Sequence, residues 1–211
     1  MKFLSYDGIL AQCIRYVWSL FLLNICFLLC CLPIFTIGPA ISAMYACFLN
    51  ESTSSSTIVR FFRAFRENFR KGALIGLLVL LIGAMLGTSW FFLLTYQPPN
   101  NGLMMAALMV LTVLFSSVIT FVFALQARYE NPVLITLKNA WILSIGKLFS
   151  GLLMSFVNLF PIIMFVVNLD VFVNVVAIWI PLGFALQMQI NALILRRIFF
   201  KLETAQQETS S

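Results

Sequence analysis

Histidine is missing from this 211-residue chain, and charge is scarce: Asp, Glu, Lys and Arg together make 9% of it. Without histidine the usual Cys/His zinc sets lack a ligand, and a Ser-His or Cys-His nucleophile lacks its base. Cys13, Cys26, Cys30, Cys31 and Cys47 form no Cys-x-x-Cys pair. They read as free thiols that pack as small hydrophobes. No apolar run alternates with polar residues at every second position, which excludes the strands of a membrane β-barrel. No Asp, Glu, Lys or Arg falls in the middle of an apolar run, where proton-coupled carriers place their ionisable group. An enzyme is therefore not expected, and the sequence nominates no catalytic residue, metal ligand or cofactor.

What the chain does have is hydrocarbon, 62% of its residues. Soluble domains carry about 25% charged residues, and a run of about 20 apolar ones crosses a bilayer as a helix. The expectation is an all-α, polytopic membrane bundle of five to six spans, a single domain over residues 1–201 with a disordered polar tail at 202–211. Spans are expected at Tyr16–Leu32, Ala73–Tyr96, Leu103–Ala127, Leu148–Asn168 and Val171–Leu195, and the first reads as retained rather than as a cleaved signal. Between spans one and three lies a second apolar segment, Ile34–Leu49, which is short. Asn131 and Pro132 mark a helix start as N-cap and first helical residue. The segment up to Lys147, with Lys138, Asn139 and Trp141, reads as an interfacial elbow.

The formal charge is +6, but its distribution argues against nucleic acid. Lys2, Arg15, the stretch Arg60–Lys71, Arg128, Lys138, Lys147, Arg196, Arg197 and Lys201 all flank span ends. That is the pattern of the positive-inside rule rather than of a duplex-binding face. The turns at 97–102 and 168–170 hold no Lys or Arg and are expected outside, which places both termini in the cytoplasm. The chain must then leave and regain the inner side within the 35 residues from Tyr16 to Asn50. Two full crossings need about 40 apolar residues.

The break in that segment is Leu32-Pro33. Proline removes an amide donor inside a helix, whereas Pro39 suits the first turn of a new one. Either residues 34–49 complete a cramped hairpin, or they form a half-helix whose free amides face a cavity. Asn24, Thr36, Gly38, Pro39, Gln187 and Asn191 are the candidate lining of such a polar cavity. Gln187 and Asn191 share a helix face at four-residue spacing.

After a polar linker, Glu51–Thr57, with Ser56 or Thr57 as N-cap, Ile58–Lys71 reads as an amphipathic interfacial helix. Ile58, Phe61, Phe62, Phe65 and Phe69 fall on one side, and Arg60, Arg63, Arg66 and Arg70 on the other. With Asn68 and Lys71, those cations form a candidate docking surface for anionic lipid headgroups or a partner protein. Gly72, Gly76, Gly83 and Gly87 lie within about 60° of one another on the third span. Their Gly-x-x-x-Gly spacing predicts close helix packing, within the bundle or in a homo-oligomer.

Asn24, Leu32-Pro33, Thr36-Ile37-Gly38-Pro39-Ala40, Phe65, Asn68-Phe69 and Lys138-Asn139-Ala140 together resemble the YesL-like family of bacterial integral membrane proteins, a domain of unknown function. The resemblance implies the bacterial cytoplasmic membrane and, from the genes that accompany family members, an accessory or regulatory role beside ABC-type sugar transporter components. It supplies no catalytic or binding residues. The alternative is a small-solute transporter or channel with its site at Thr36–Pro39.

Overall fold

The computed structural model describes residues 9–50, 56–99, 101–168, 170, 172–173, 176 and 179–210, and it is helical throughout. Lys2, the linker residues Glu51–Ser55, Asn100 and Asn174 lie outside the described residues. The helices are α1 (Ile9–Cys31), α2 (Ile37–Leu49), α3 (Thr57–Tyr96), α4 (Asn101–Arg128), α5 (Val133–Gly146), α6 (Leu148–Val167) and α7 (Phe184–Ser210). A 3-10 turn, Ile34–Thr36, precedes α2, and a π-helical turn, Trp179–Gly183, leads into α7.

Among the described residues, four helices are long and apolar enough to cross a membrane, over Ala11–Cys31, Thr57–Tyr96, Asn101–Arg128 and Leu148–Phe165. The second apolar segment falls short of a crossing. Helix α2 has 13 residues, about 20 Å at 1.5 Å per residue, against a hydrocarbon core of about 30 Å. Of the stretch expected as one span from Val171 to Leu195, residues 171, 174–175 and 177–178 lie outside the described residues; the π-helical turn Trp179–Gly183, with Pro181 inside it, leads into α7.

Short as it is, α2 is the hub. It packs against α1, α3, α4 and α7. Gly38, Pro39, Ala40, Ser42, Ala43, Met44, Tyr45, Ala46 and Leu49 are all buried. Most of these side chains are small, so neighbouring backbones approach closely without a hydrophobic driving force between lipid-like surfaces. The hairpin reading of residues 16–50 thus holds in part: α1 is long, while α2 is a short helix sheathed in protein. Leu32, Ile34 and Phe35, at the break itself, are exposed and apolar.

The C-terminal end of α2 carries unpaired carbonyls, and cations satisfy them. Arg60 donates to Cys47 O at 2.8 Å and to Asn50 O at 3.0 Å. Arg196 donates to Phe48 O at 3.0 Å through Nε and again through its Nη2. Asn50 Nδ2 reaches Ala127 O at 3.3 Å, tying α2 to α4. Charge-assisted donors at a helix C-terminus also oppose the negative end of its dipole.

One sequence expectation is corrected here. The amphipathic segment Ile58–Lys71 is not a separate elbow: it continues without interruption into the third span as the 40-residue α3. Gly72, at the junction, costs a helix only about 1 kcal/mol, too little to break it. Helix α7 runs on through Ser210. A smaller shift occurs at α5, which starts at Val133 with Pro132 as N-cap rather than Asn131. Ser56 does stand at the N-cap of α3, without a side-chain hydrogen bond.

Beyond Gly76, α3 pairs mainly with α4. The Phe115 ring approaches Gly83, and Trp90 Nε1 donates to Thr112 Oγ1 at 3.0 Å. The rest of this arm displays Leu77, Leu81, Met85, Phe91, Phe92, Leu103, Met104 and Met109, a surface suited to lipid.

Candidate functional site: the broken helix and a polar seam

At the break, α1 ends one residue before Leu32-Pro33, leaving carbonyls without helical partners. Thr36 Oγ1 lies 2.5 Å from Cys30 O and 2.6 Å from Pro33 O, and the Thr36 amide donates to Pro33 O at 3.0 Å. Its hydroxyl closes the end of α1 instead of facing a ligand.

Gly38 and Pro39 open α2 against α3. A Cβ on Gly38 would stand 2.1 Å from Gly72 O and 2.8 Å from Gly76 Cα. A Cβ on Gly72 would stand 2.9 Å from Pro39 Cα, and one on Gly76 2.9 Å from Gly38 Cα. The two backbones touch, and the helix start is sealed by protein. The four-glycine face expected on the third span therefore divides. Gly72 and Gly76 hold α2, Gly83 makes ordinary contact with Phe115, and Gly87 meets nothing within 4 Å.

Asn24 is fully buried and does something the sequence did not suggest. Its Nδ2 donates to Ile180 O at 2.5 Å, and its Oδ1 accepts from the Ala185 amide at 2.9 Å. The side-chain amide is inserted into the backbone ladder at the π-helical turn. There it satisfies a carbonyl and an amide that the interruption sets free.

Gln187 and Asn191 do meet, but through a residue outside the candidate set. Asn158 of α6 is the junction. Its Oδ1 accepts from Gln187 Nε2 at 3.0 Å and from Asn191 Nδ2 at 2.7 Å. Its Nδ2 donates to Thr120 Oγ1 at 2.7 Å and lies 3.4 Å from Ser116 Oγ. Asn191 Nδ2 also lies 3.3 Å from the Tyr45 hydroxyl. An amide with two donors and two acceptor sites can serve four neighbours at once. The seam stitches α2, α4, α6 and α7, and Ser144 Oγ to Ser117 Oγ at 2.8 Å adds α5. One atom is left over: the Asn191 Oδ1 is buried with no partner among the described residues.

So the six cavity candidates fall into four separate places: a helix end, a helix crossing, the π-helical turn and a side-chain seam. Of the cavity candidates, Gln187 borders an apolar crevice of about 420 Å³ with Phe156, Phe160 and Trp179. No cluster of three or more Cys, Asp or Glu suited to a metal occurs among the described residues. The five cysteines are free thiols.

The basic segment divides as well. Arg60 caps α2, and Lys71 Nζ donates to Asn131 O at 3.1 Å. Asn68 turns inward, accepting from Gln126 Nε2 at 3.3 Å and donating to Ala64 O at 3.0 Å. Phe61, on the apolar side, is fully buried against the bundle instead of lying in lipid. Arg63, Arg66 and Arg70 remain exposed. At the same end, Arg128 grips Glu203 with two hydrogen bonds of 2.9 and 3.0 Å, and the Tyr129 hydroxyl donates to the same carboxylate at 2.7 Å. These bonds, that of Arg128 first, hold the Glu203 carboxyl below its ordinary range. Burial, and then the bond to Glu203, pushes the Tyr129 phenol up to about 12.

Residues 20–90 match the family described as "Protein of unknown function, DUF624". The resemblance read from the sequence holds over that segment, which contains Asn24, the break from Leu32 to Ala40, and Phe65, Asn68 and Phe69. It spans α2, its seal on Gly72 and Gly76, and most of the two helices around it; Lys138-Asn139-Ala140 lie beyond. No curated protein and no solved structure matches the chain.

Proposed function

We propose that this is a non-enzymatic, multi-pass protein of the bacterial cytoplasmic membrane that serves as an accessory partner of a carbohydrate uptake system and carries no solute itself. The observation that bears the weight is the seal at Gly38, where the backbones of α2 and α3 leave no room for a solute. Broken helices of transporters keep their free termini on a substrate cavity. Here Thr36 closes the end of α1, the Ile37 amide donates to Ile34 O, and the start of α2 packs directly on Gly72 and Gly76. The sugar importer as partner, and the cytoplasmic position of both termini, follow from the YesL-like resemblance and from the basic residues at one end of the bundle.

The test has two arms. Purified protein in sugar-loaded vesicles is expected to release nothing above empty vesicles. In cells, a photo-crosslinking residue at Met104 on the exposed arm is expected to capture the membrane subunit of a sugar importer, and deletion is expected to lower that sugar's uptake. Solute flux through the protein alone, or unchanged uptake of every sugar after deletion, refutes the proposal.

A further inference from the structure

Because α3 does not bend at Gly72, its cations and its leucines stand in one line. At 100° per residue, Arg63, Arg66, Arg70, Leu74, Leu77 and Leu81 fall within a sector of about 80°. Gly72, which faces α2, lies about 180° from Arg63 on the same wheel, so the line points away from the bundle. The side chains agree. Leu74, Leu77 and Leu81 are 54%, 53% and 58% exposed, and the three arginines are exposed.

The arginines are also uncommitted. Arg60 and Arg196 are engaged on α2, Lys71 on Asn131 and Arg128 on Glu203, while Lys138, Lys147, Arg197 and Lys201 are exposed on other helices. Arg63, Arg66 and Arg70 make no hydrogen bond or ion pair among the described residues. Glu67 sits about 40° from Arg63 on the wheel and pairs with none of them. A hollow of about 890 Å³ runs beside Arg63 and Arg66 and is otherwise lined by Ile58, Val59, Phe62 and Glu67.

The dimensions fit one leaflet. Arg70 to Leu81 rises about 16 Å, and half a hydrocarbon core is about 15 Å. Arg63 to Arg70 adds about 10 Å of cationic rail below it. We infer that this face of α3 is a seat for an anionic phospholipid, whose acyl chains lie along Leu74, Leu77 and Leu81 and whose phosphate is held by Arg66 and Arg70, with Arg63 beneath. An interfacial elbow would lie flat and offer no such register. The inference stands apart from the accessory role.

The test measures the relative association of spin-labelled phosphatidylglycerol and phosphatidylcholine with the full chain in phosphatidylcholine vesicles at low salt. Each arginine near an anionic headgroup contributes on the order of a five-fold preference. The wild type is expected to favour phosphatidylglycerol by about five-fold or more. R63Q/R66Q/R70Q brings the ratio near unity, and R63K/R66K/R70K keeps it. K138Q/K147Q/R197Q removes the same charge from three other exposed positions and leaves the preference in place. Equal loss in both glutamine triples means net charge rather than a seat, and overturns the inference. So does a wild-type ratio near unity. So does a partner protein released by R63Q/R66Q/R70Q while the lipid preference stays unchanged.

Discussion

Replacing Gly38 with alanine probes the most crowded point of the fold. The new Cβ would stand 2.1 Å from Gly72 O, 2.8 Å from Gly76 Cα and 3.0 Å from Gly72 C. All three are backbone atoms, so no side chain can swing aside. Alanine improves intrinsic helix propensity by about 1 kcal/mol. Overpacking that forces backbones apart costs about 1–3 kcal/mol and occasionally more. Here the overlap exceeds 1 Å against ordinary contact at 3.4 Å or beyond, so the upper part of that range applies. We expect a net loss of about 2 kcal/mol. Gly87→Ala is the matched control: nothing lies within 4 Å, so only the propensity gain of about 0.5–1 kcal/mol remains. Both are read as thermal unfolding in one detergent, by circular dichroism and by retention as a monodisperse peak. A Gly38→Ala protein as stable as wild type, or a Gly87→Ala protein equally damaged, refutes the account of a sealed helix crossing.

Asn24→Leu strands Ile180 O and the Ala185 amide, each at about 1–3 kcal/mol when unsatisfied; amide exchange at Ala185 is expected to accelerate, and unchanged protection there would rule out the ladder insertion. Asn158→Leu removes the four-way junction. At about 0.6 kcal/mol per intramembrane hydrogen bond it is expected to lose about 2 kcal/mol, whereas Gln189→Leu, outside the seam, is expected to lose less; the two unfolding midpoints decide. Glu203 has a folded pKa below its unfolded value, so its pairing stabilises the α7 tail at neutral pH. That contribution disappears as pH falls through the depressed value. Tyr129 is raised, so its contribution is complete below about 10 and lost as pH climbs towards about 12. Both groups are partly exposed, which limits the pair to about 1 kcal/mol. Hydrogen exchange across residues 197–207 should rise at both ends of the pH range, and in E203Q the acid limb should vanish. Orientation is checked with alkaline phosphatase fusions, expected to be active after Pro99 and inactive after Asn131.

Much of the architecture is written locally. A run of apolar residues makes a helix that prefers lipid wherever it goes, and Leu32-Pro33 removes a donor whatever surrounds it. The resemblance likewise rests on contiguous residues, and the family match falls on them. The site was less legible, because a polar residue in an apolar run announces only that it needs a partner. Asn24 finds its partners at Ile180 and Ala185, more than 150 residues away. Asn158 drew no more notice than any other polar residue of a span, yet it joins α4, α6 and α7 directly, and α2 through Asn191. Four glycines spaced for packing gave no sign of which two would be used.

The sequence by itself determined that this is an all-helical chain with membrane-crossing segments, basic at one end and broken between Leu32 and Pro39. Those properties follow from hydropathy, charge and proline chemistry, which act within a few residues. Only the tertiary structure decided what the break is for. The small residues of α2 let α3 and α4 close around it, Thr36 closes the end of α1, and Gly72 and Gly76 cover the start of α2. Helix α3 also runs unbroken through Gly72. That places three unpaired arginines below a line of leucines, a register no local signal carries, because it depends on one helix not bending.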